Sequence, residues 1–388
     1  MTSVVVVGGG IVGCLHALEA RRQGHEVTVL VRSSQPRSAS VRGLGLLSVG
    51  GQRAGEHLEL ALASIPMWRE HADQVPLIGY SSAGALIVAV TEMDWEAMSA
   101  AVELDDAKRR GFTLLPGESL RARGLCGGDV RGALWCRLDS SFDPTRSAPA
   151  LLTKLAALGV NVHRHVEVTS VEPDGVEMLD SGVRRRERAD LVLVCPGSSE
   201  HWSTPPDLGP RTRVTRHQMF ETAPTAPRLT ATIADGDTMR RQPGFVSTAS
   251  LLGPREPDAA RWHARLRAVQ RRDGRIVFGE ISATDAETTA QRSPLPERHL
   301  KDRLEAIVGA RLPLVERRWT CTHTESLDGA PYRLEQLAER SWLVSEVDEL
   351  GLAGMPMLAR RLIESAFDGR DTDPSRRPID PAATPAVR

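Results

Sequence analysis

The sequence predicts an α/β fold: a parallel-sheet unit of the kind that binds a dinucleotide, joined to a second domain built on an antiparallel sheet. Three observations carry this. First, the chain opens with an apolar, β-branched run at residues 4–7, then Gly8-Gly9-Gly10-Ile11-Val12-Gly13, a helical stretch at 14–22 and a second strand at 26–30. That order is a βαβ unit with the Gly-x-Gly-x-x-Gly fingerprint. Second, a buried run at 189–195 ends in Pro196-Gly197, as a strand of the same sheet would end beside a ligand. Third, short runs at 214–221, 230–233, 245–251 and 275–281 suit an antiparallel sheet elsewhere. At 388 residues the chain is long enough for two domains and a large core.

Each glycine of the fingerprint has a task. Gly8 permits the tight turn, Gly10 lets the backbone approach a pyrophosphate, and Gly13 lets the helix pack closely on the sheet. The helix N-terminus then offers N–H groups and a positive dipole end to the phosphates. The second strand of such a unit normally ends on a carboxylate for a ribose hydroxyl. Here it ends Val31-Arg32-Ser33-Ser34. Either Ser33 or a residue from elsewhere holds the ribose, or Arg32 meets a phosphate; a solvated Arg32 is the alternative.

The remaining elements follow in order. A small-residue loop, Ser38-Ala39-Ser40-Val41-Arg42-Gly43, runs into an apolar stretch. Apolar spacing predicts a helix over 56–71, a strand-like region over 77–90 and a helix over 94–110. Residues 121–136 are glycine-rich and read as irregular. Asp143-Pro144 opens a helix through Leu158. Strands are expected from 159 and over 166–171 and 176–179, with Pro173-Asp174-Gly175 as the turn between the last two. Residues 254–271 read as a charged insertion with helical stretches. A helix over 300–312, a strand over 341–345 and a helix over 356–367 close the pattern, and the last ten residues are expected to be disordered.

Composition excludes some classes. A net charge of −1 gives no bulk attraction to nucleic acid or membrane. The apolar runs are strand-length, so no membrane span is expected, and the N-terminus lacks a signal pattern. A cytoplasmic protein follows. Five scattered cysteines without a Cys-x-x-Cys pair argue against a disulfide framework and against a zinc site.

Together these segments resemble the D-amino-acid-oxidase-type family of FAD oxidoreductases, especially the glycine oxidases and monomeric sarcosine oxidases. The resemblance spans nearly the whole chain. It rests on the fingerprint, Asp143-Pro144, the strand at 166–171, Ala189-Asp190 leading to Gly197, residues 271–279, Trp319 to Tyr332, and Gly351 to Pro356. It implies a Rossmann-type FAD domain split over 1–76, 143–210 and 320–370. A substrate domain of antiparallel strands and helices would occupy 77–142 and 211–319, with a tail at 371–388. It further implies oxidation of a C–N bond in an amine or modified amino acid, by hydride transfer to the flavin, then hydrolysis of the imine. Dioxygen would reoxidise the flavin, giving hydrogen peroxide; a dehydrogenase with another acceptor and a non-catalytic FAD-binding subunit stay as alternatives. The oligomeric state stays open.

The same resemblance marks site residues. Cys321 falls where sarcosine oxidases tether the flavin; a small residue packed on the flavin is the other reading. His323 falls where glycine oxidases have a carboxylate-binding Arg and sarcosine oxidases an aromatic residue, and would hydrogen-bond the substrate, act as base, or form pocket wall or a satisfied core histidine. The Lys or Arg expected just beyond Gly351 is missing, since the stretch reads Gly351-Leu352-Ala353-Gly354-Met355. With two carboxylate handles absent, a simple amino acid is disfavoured as substrate. Arg42 would replace a handle or stay on the surface, and Asp348 and Glu349 would attract a second amine. Gly351, Leu352, Gly354 and Met355 would set a helix start against the flavin pyrimidine. Val168 would meet adenine through its main chain, and Ser40, Gly43 and Gly197 complete the expected cofactor contacts. Val277 stands where sarcosine oxidases carry an oxygen-activating lysine.

Overall fold

The structure, a computed structural model, describes residues 2–33, 39–197, 212–226, 229–284 and 294–368. Ser34, Ser38 and the tail at 371–388 lie outside them. One sheet has six strands in the order Arg333–Ala338, Ser341–Ser345, Leu191–Val194, Ser3–Val7, Glu26–Val31 and Asn161–Arg164. All neighbours are parallel except the first pair. The opening valines explain why this strand is central. Val4 and Val6 pack into the helical side with Leu15, Leu18 and Leu358, while Val5 and Val7 pack the other way on Val166, Val176 and Met178. Successive side chains of a strand face opposite ways, so an unbroken apolar run marks a strand covered on both sides. Helices Ile11–Arg22, Glu56–Gln74, Pro144–Ala157 and Glu349–Asp368 supply the helical layer. A three-stranded meander, Val166–Glu172, Gly175–Asp180 and Val183–Arg188, covers the opposite side.

The second large sheet has eight strands, ordered Val315–Ser326, Thr212–Thr222, Ile276–Thr284, Ala264–Gln270, Thr232–Asp235, Ala85–Ala89, Gly132–Cys136 and Phe112–Pro116. Its pairs are antiparallel except Thr232–Asp235 with Ala85–Ala89. The protein is therefore mixed α/β. The strand Val315–Ser326 is continuous through residue 320 and places His217 opposite Cys321, and Thr215 opposite His323.

Four sequence expectations need correction. Residues 245–251 are not a strand: Pro243–Phe245 is a 3-10 turn and Val246–Ala249 a helix, because Phe245 is fully buried against Phe112 while Val246 is exposed. Only Pro257–Arg261 of the expected charged insertion is helical; Ala264–Gln270 is an interior strand. There Ala264, Leu266 and Ala268 alternate into the core while the intervening arginines are buried against acids on the other face. The irregular stretch contains the strand Gly132–Cys136. The helix expected over 94–110 is Glu92–Val102, started by a Thr91–Asp94 capping box.

Candidate active site

A cavity of about 900 Å3 runs from the opening glycine turn to the eight-stranded sheet, at the upper end of the range for ligand and cofactor pockets. Residues Gly8 to Val12 form one end of it. Gly8 has φ +115°, and a Cβ there would lie 2.2 Å from Cys195 O, so only glycine fits the turn. At Gly10 a Cβ would meet only the Ser40 side chain, with Oγ at 2.9 Å. Gly10 caps helix Ile11–Arg22 without a side-chain hydrogen bond, and the Ile11 N–H donates to Ser40 Oγ at 3.1 Å. Ser40 takes only that first N–H, so the helix start facing the cavity is still suited to an anion.

The sheet end carries a buried charge network. Arg265 and Arg267 each donate to Glu280 at 2.5 Å, and Arg267 also donates to Glu349 at 2.6 Å. Burial opposes ionisation of Glu280 and of Glu349, but the two arginines outweigh it and hold both carboxyls below their usual range. Next to this lies a histidine pair. His217 Nε2 and His323 Nε2 are 2.9 Å apart, and Glu325 Oε1 is 3.0 Å from His323 Nε2. Ser282 Oγ sits 2.9 Å from His217 Nδ1, and Arg213 donates to Glu325 Oε2 at 2.8 Å. Burial pushes His217 down. Burial acts the same way on His323, but hydrogen bonds with Cys321 and Glu325 outweigh it and raise it to about 10. At neutral pH His323 is a cation and a donor.

The turn Ser345 to Glu349 closes the cavity between these ends. Asp348 Oδ1 accepts the Leu350 and Gly351 N–H groups, each at 2.8 Å. Burial and the neighbouring Glu349 charge nevertheless push its carboxyl up to about 8.

Of the residues singled out in the sequence, Gly8, Gly10, Arg32, Ser33, Ser40 and Gly43 lie on the cavity wall, and so do Val168, Gly197, Cys321, His323 and Leu352. Gly13, Arg42, Gly351, Gly354 and Met355 do not. Gly13 is a packing position: a Cβ there would lie 2.0 Å from Gly8 O. The Arg42 guanidinium donates to Thr320 O at 3.2 Å, and Arg42 O accepts from Trp319 Nε1 at 2.8 Å, which ties this loop to the strand of Cys321. Gly351 is pressed on Pro331 O and its N–H is taken by Asp348, which corrects the expectation of a free N–H toward the flavin. Gly354 packs on Leu60, and Met355 is wholly buried. Val277 is buried with Leu44, Met219 and Cys321.

The sequence reading missed Arg265, Arg267, Glu280, His217 and Glu325. The alternation Ala264-Arg265-Leu266-Arg267-Ala268 was the available signal. Arginine is rarely buried unless paired, so the segment scored as surface. Glu167, on the wall beside Val168, brings a carboxylate to the side of the cavity where the second strand lacks one.

The fold, with its glycine turn opening on this cavity, defines a dinucleotide-dependent enzyme class. The chain belongs to the DAO family of FAD dependent oxidoreductases, whose family model matches residues 3–365. Among solved structures it is similar to glycine oxidase from Bacillus cereus ATCC 14579, with a TM-score of 0.75 at 18% identity over 96% of this chain and 98% of that one. It is similar also to L-proline dehydrogenase from P. horikoshii, with a TM-score of 0.72 at 18% identity over 97% of each chain. A third is iminodiacetate oxidase from Chelativorans sp. BNC1, with a TM-score of 0.69 at 17% identity over 97% of each chain. Comparison with curated proteins finds no match. The residues present fit FAD: the turn has no room for a Cβ at Gly8, Gly10 has no side chain, and of the helix start behind them only the Ile11 N–H is taken, by Ser40. Among the described residues no helix is long and apolar enough to cross a membrane.

Proposed function

We propose that the protein oxidises a C–N bond of a small amine or modified amino acid to an imine, which water then hydrolyses, with dioxygen as the electron acceptor. The single observation that carries this reading is the shared cavity: the anion-binding glycine turn and the buried polar network of the sheet open onto one space, with Cys321 on its wall. Bound FAD supplies the acceptor that takes hydride from the carbon next to nitrogen. The protein does the rest. Leu44, Leu46, Met219, Val344 and Leu352 give the cavity an apolar lining that excludes water. His323, held protonated by Glu325 and Cys321, is a fixed cationic part of the pocket wall and does not take the substrate's proton. The Cys321 thiol is the attachment point for a covalently held flavin.

The test is anaerobic. FAD-loaded protein is mixed with a panel of amines and the visible flavin band is followed, then air is admitted and peroxide is measured. Bleaching by an amine, with peroxide released on aeration, supports the proposal. Protein that binds no flavin, or bound flavin that no amine bleaches, sinks it. Bleaching without peroxide moves the acceptor to a partner protein or quinone.

A further inference from the structure

The inference rests on the oxidation reading above and concerns which amine the site takes. The cations at the sheet end are already matched. Arg267, 7% exposed at its side chain, gives NH2 to Glu280 and NH1 to Glu349. Arg265 gives NH2 to Glu280, His323 faces Glu325, and Arg213 holds the other oxygen of Glu325. A substrate carboxylate entering here would have to displace Glu280 or Glu349 and then sit beside the displaced negative charge out of water.

The acids of the closing turn are not matched in this way, although Asp348, pushed up to about 8, keeps its proton near pH 7 until a cation beside it displaces that proton. Asp348 Oδ1 holds two backbone N–H groups and Glu349 Oε1 holds Arg267. Among the described residues, no other residue donates to Asp348 Oδ2 or to Glu349 Oε2, and both residues line the cavity. A second observation points the same way. Glu346, 4% exposed on the same wall, binds Thr212 and Arg333 through Oε1 and leaves a buried Oε2 with no partner. Acceptors without donors collect on one turn, and free cations are absent from it. Such a wall is completed by a ligand that is rich in N–H donors and positively charged.

We infer that the substrate is a diamine or an amino-guanidine, with its non-reacting cationic nitrogen held by Asp348 and Glu349 and with no carboxylate at that end. The experiment uses the FAD-loaded protein and three ligands of matched length: 1,5-diaminopentane, pentylamine and 5-aminopentanoate. Two readouts are taken, the shift each ligand produces in the bound flavin spectrum and the anaerobic bleaching rate. The diamine should bind at least about tenfold tighter than the monoamine, and the amino acid weakest of the three. In Glu349→Gln the diamine should lose about tenfold while the monoamine changes little. The amino acid should gain, because the variant frees Arg267 NH1. Tightest binding by 5-aminopentanoate, equal binding of all three, no binding of any, or an equal effect of the variant on all three overturns the inference. Failure of the wider reading looks different, since the protein would then hold no flavin to perturb.

Discussion

Glu280→Gln removes the charge at the centre of the buried network while keeping its volume. Glu280 has a side chain 3% exposed and takes Arg265 and Arg267 at 2.5 Å each. Without that charge Arg265 has only Glu349 Oε1, at 3.7 Å, and Arg267 has Glu349 alone. Removing one partner from a buried ion set costs about 3–5 kcal/mol. Because Glu349 stays, the low end, about 3 kcal/mol, is expected. The assay is urea unfolding of the apoprotein, followed by tryptophan fluorescence and far-UV circular dichroism together, with the slope unchanged. The pH dependence gives a second check. A carboxyl held low in the folded state contributes stability that is fully present above its unfolded value, about 4.3, and is lost as pH falls through the folded value. The gap between wild type and variant should therefore be full at pH 7 and narrow on acidification below about pH 4. Replacing Arg265 with Met, Glu280 with Leu and Arg267 with Met together should recover much of the loss, because no uncompensated charge remains. A loss under about 1 kcal/mol, or a gap that does not change toward pH 3, would refute the reasoning.

Four further outcomes are expected. Gly8→Ala sets a Cβ 2.2 Å from Cys195 O at a positive φ and should cost more than about 3 kcal/mol of folding stability. Gly10→Ala meets only the Ser40 side chain, so it should melt like wild type yet bind FAD at least about tenfold more weakly by flavin fluorescence. Cys321→Ser should move flavin from the acid-precipitated pellet to the supernatant, and flavin already free in wild type would remove the tether from the proposal. His323→Gln should cost about 2 kcal/mol near pH 7, a figure kept well below the full linkage value because the side chain still touches the cavity. A histidine raised to about 10 contributes stability below its unfolded value that disappears as pH rises through 10, so the two proteins should converge in urea melts above that pH.

The half of the molecule written in apolar periodicity was legible, and so was the phosphate end of the cavity. Val4 to Val7, the glycine turn and residues 191–194 declare themselves because a strand covered on both sides must be apolar throughout. The sheet end was much harder to read. Ala264–Gln270 contains two arginines and passes for surface until Glu280, on the adjacent strand, is known to lie between them. Glu280 and Glu349 are distant from those arginines in sequence, and charge pairing across strands leaves no local period. His323 was visible as a candidate, but its protonation state was not, because that depends on Glu325 and on burial by neighbours. The capping of the last helix by Asp348 was hidden for a different reason. The Gly351-Leu352-Ala353-Gly354 stretch reads as the approach to a helix over 356–367, whereas tight packing on Pro331 and Leu60 puts those glycines inside the helix.

That capping fixes how a ligand must lie. Besides Pro144–Ala157, whose start is capped by Asp143, two long helices begin at this cavity, Ile11–Arg22 and Glu349–Asp368. Each start has a positive dipole end and N–H groups without intrahelical partners. At the first, Ser40 takes the Ile11 N–H and, among the described residues, no side chain takes the N–H groups that follow, so these are left for an anion from outside. At the second, Asp348 takes two N–H groups and Glu349 adds a carboxylate in the first turn. Glu349, ionised in the first turn, offsets this helix start's attraction for an anion. On the proposed reading a pyrophosphate sits at the glycine turn and a cationic amine against residues 348 and 349. Removing both the cap and the charge at the second end, by Asp348→Gly with Glu349→Gln, should reopen that helix start to anions. Sulfate should then weaken amine binding in the variant and leave it unchanged in the parent. Equal sulfate sensitivity in both proteins would show that the charge at this helix start does not set the direction of the ligand.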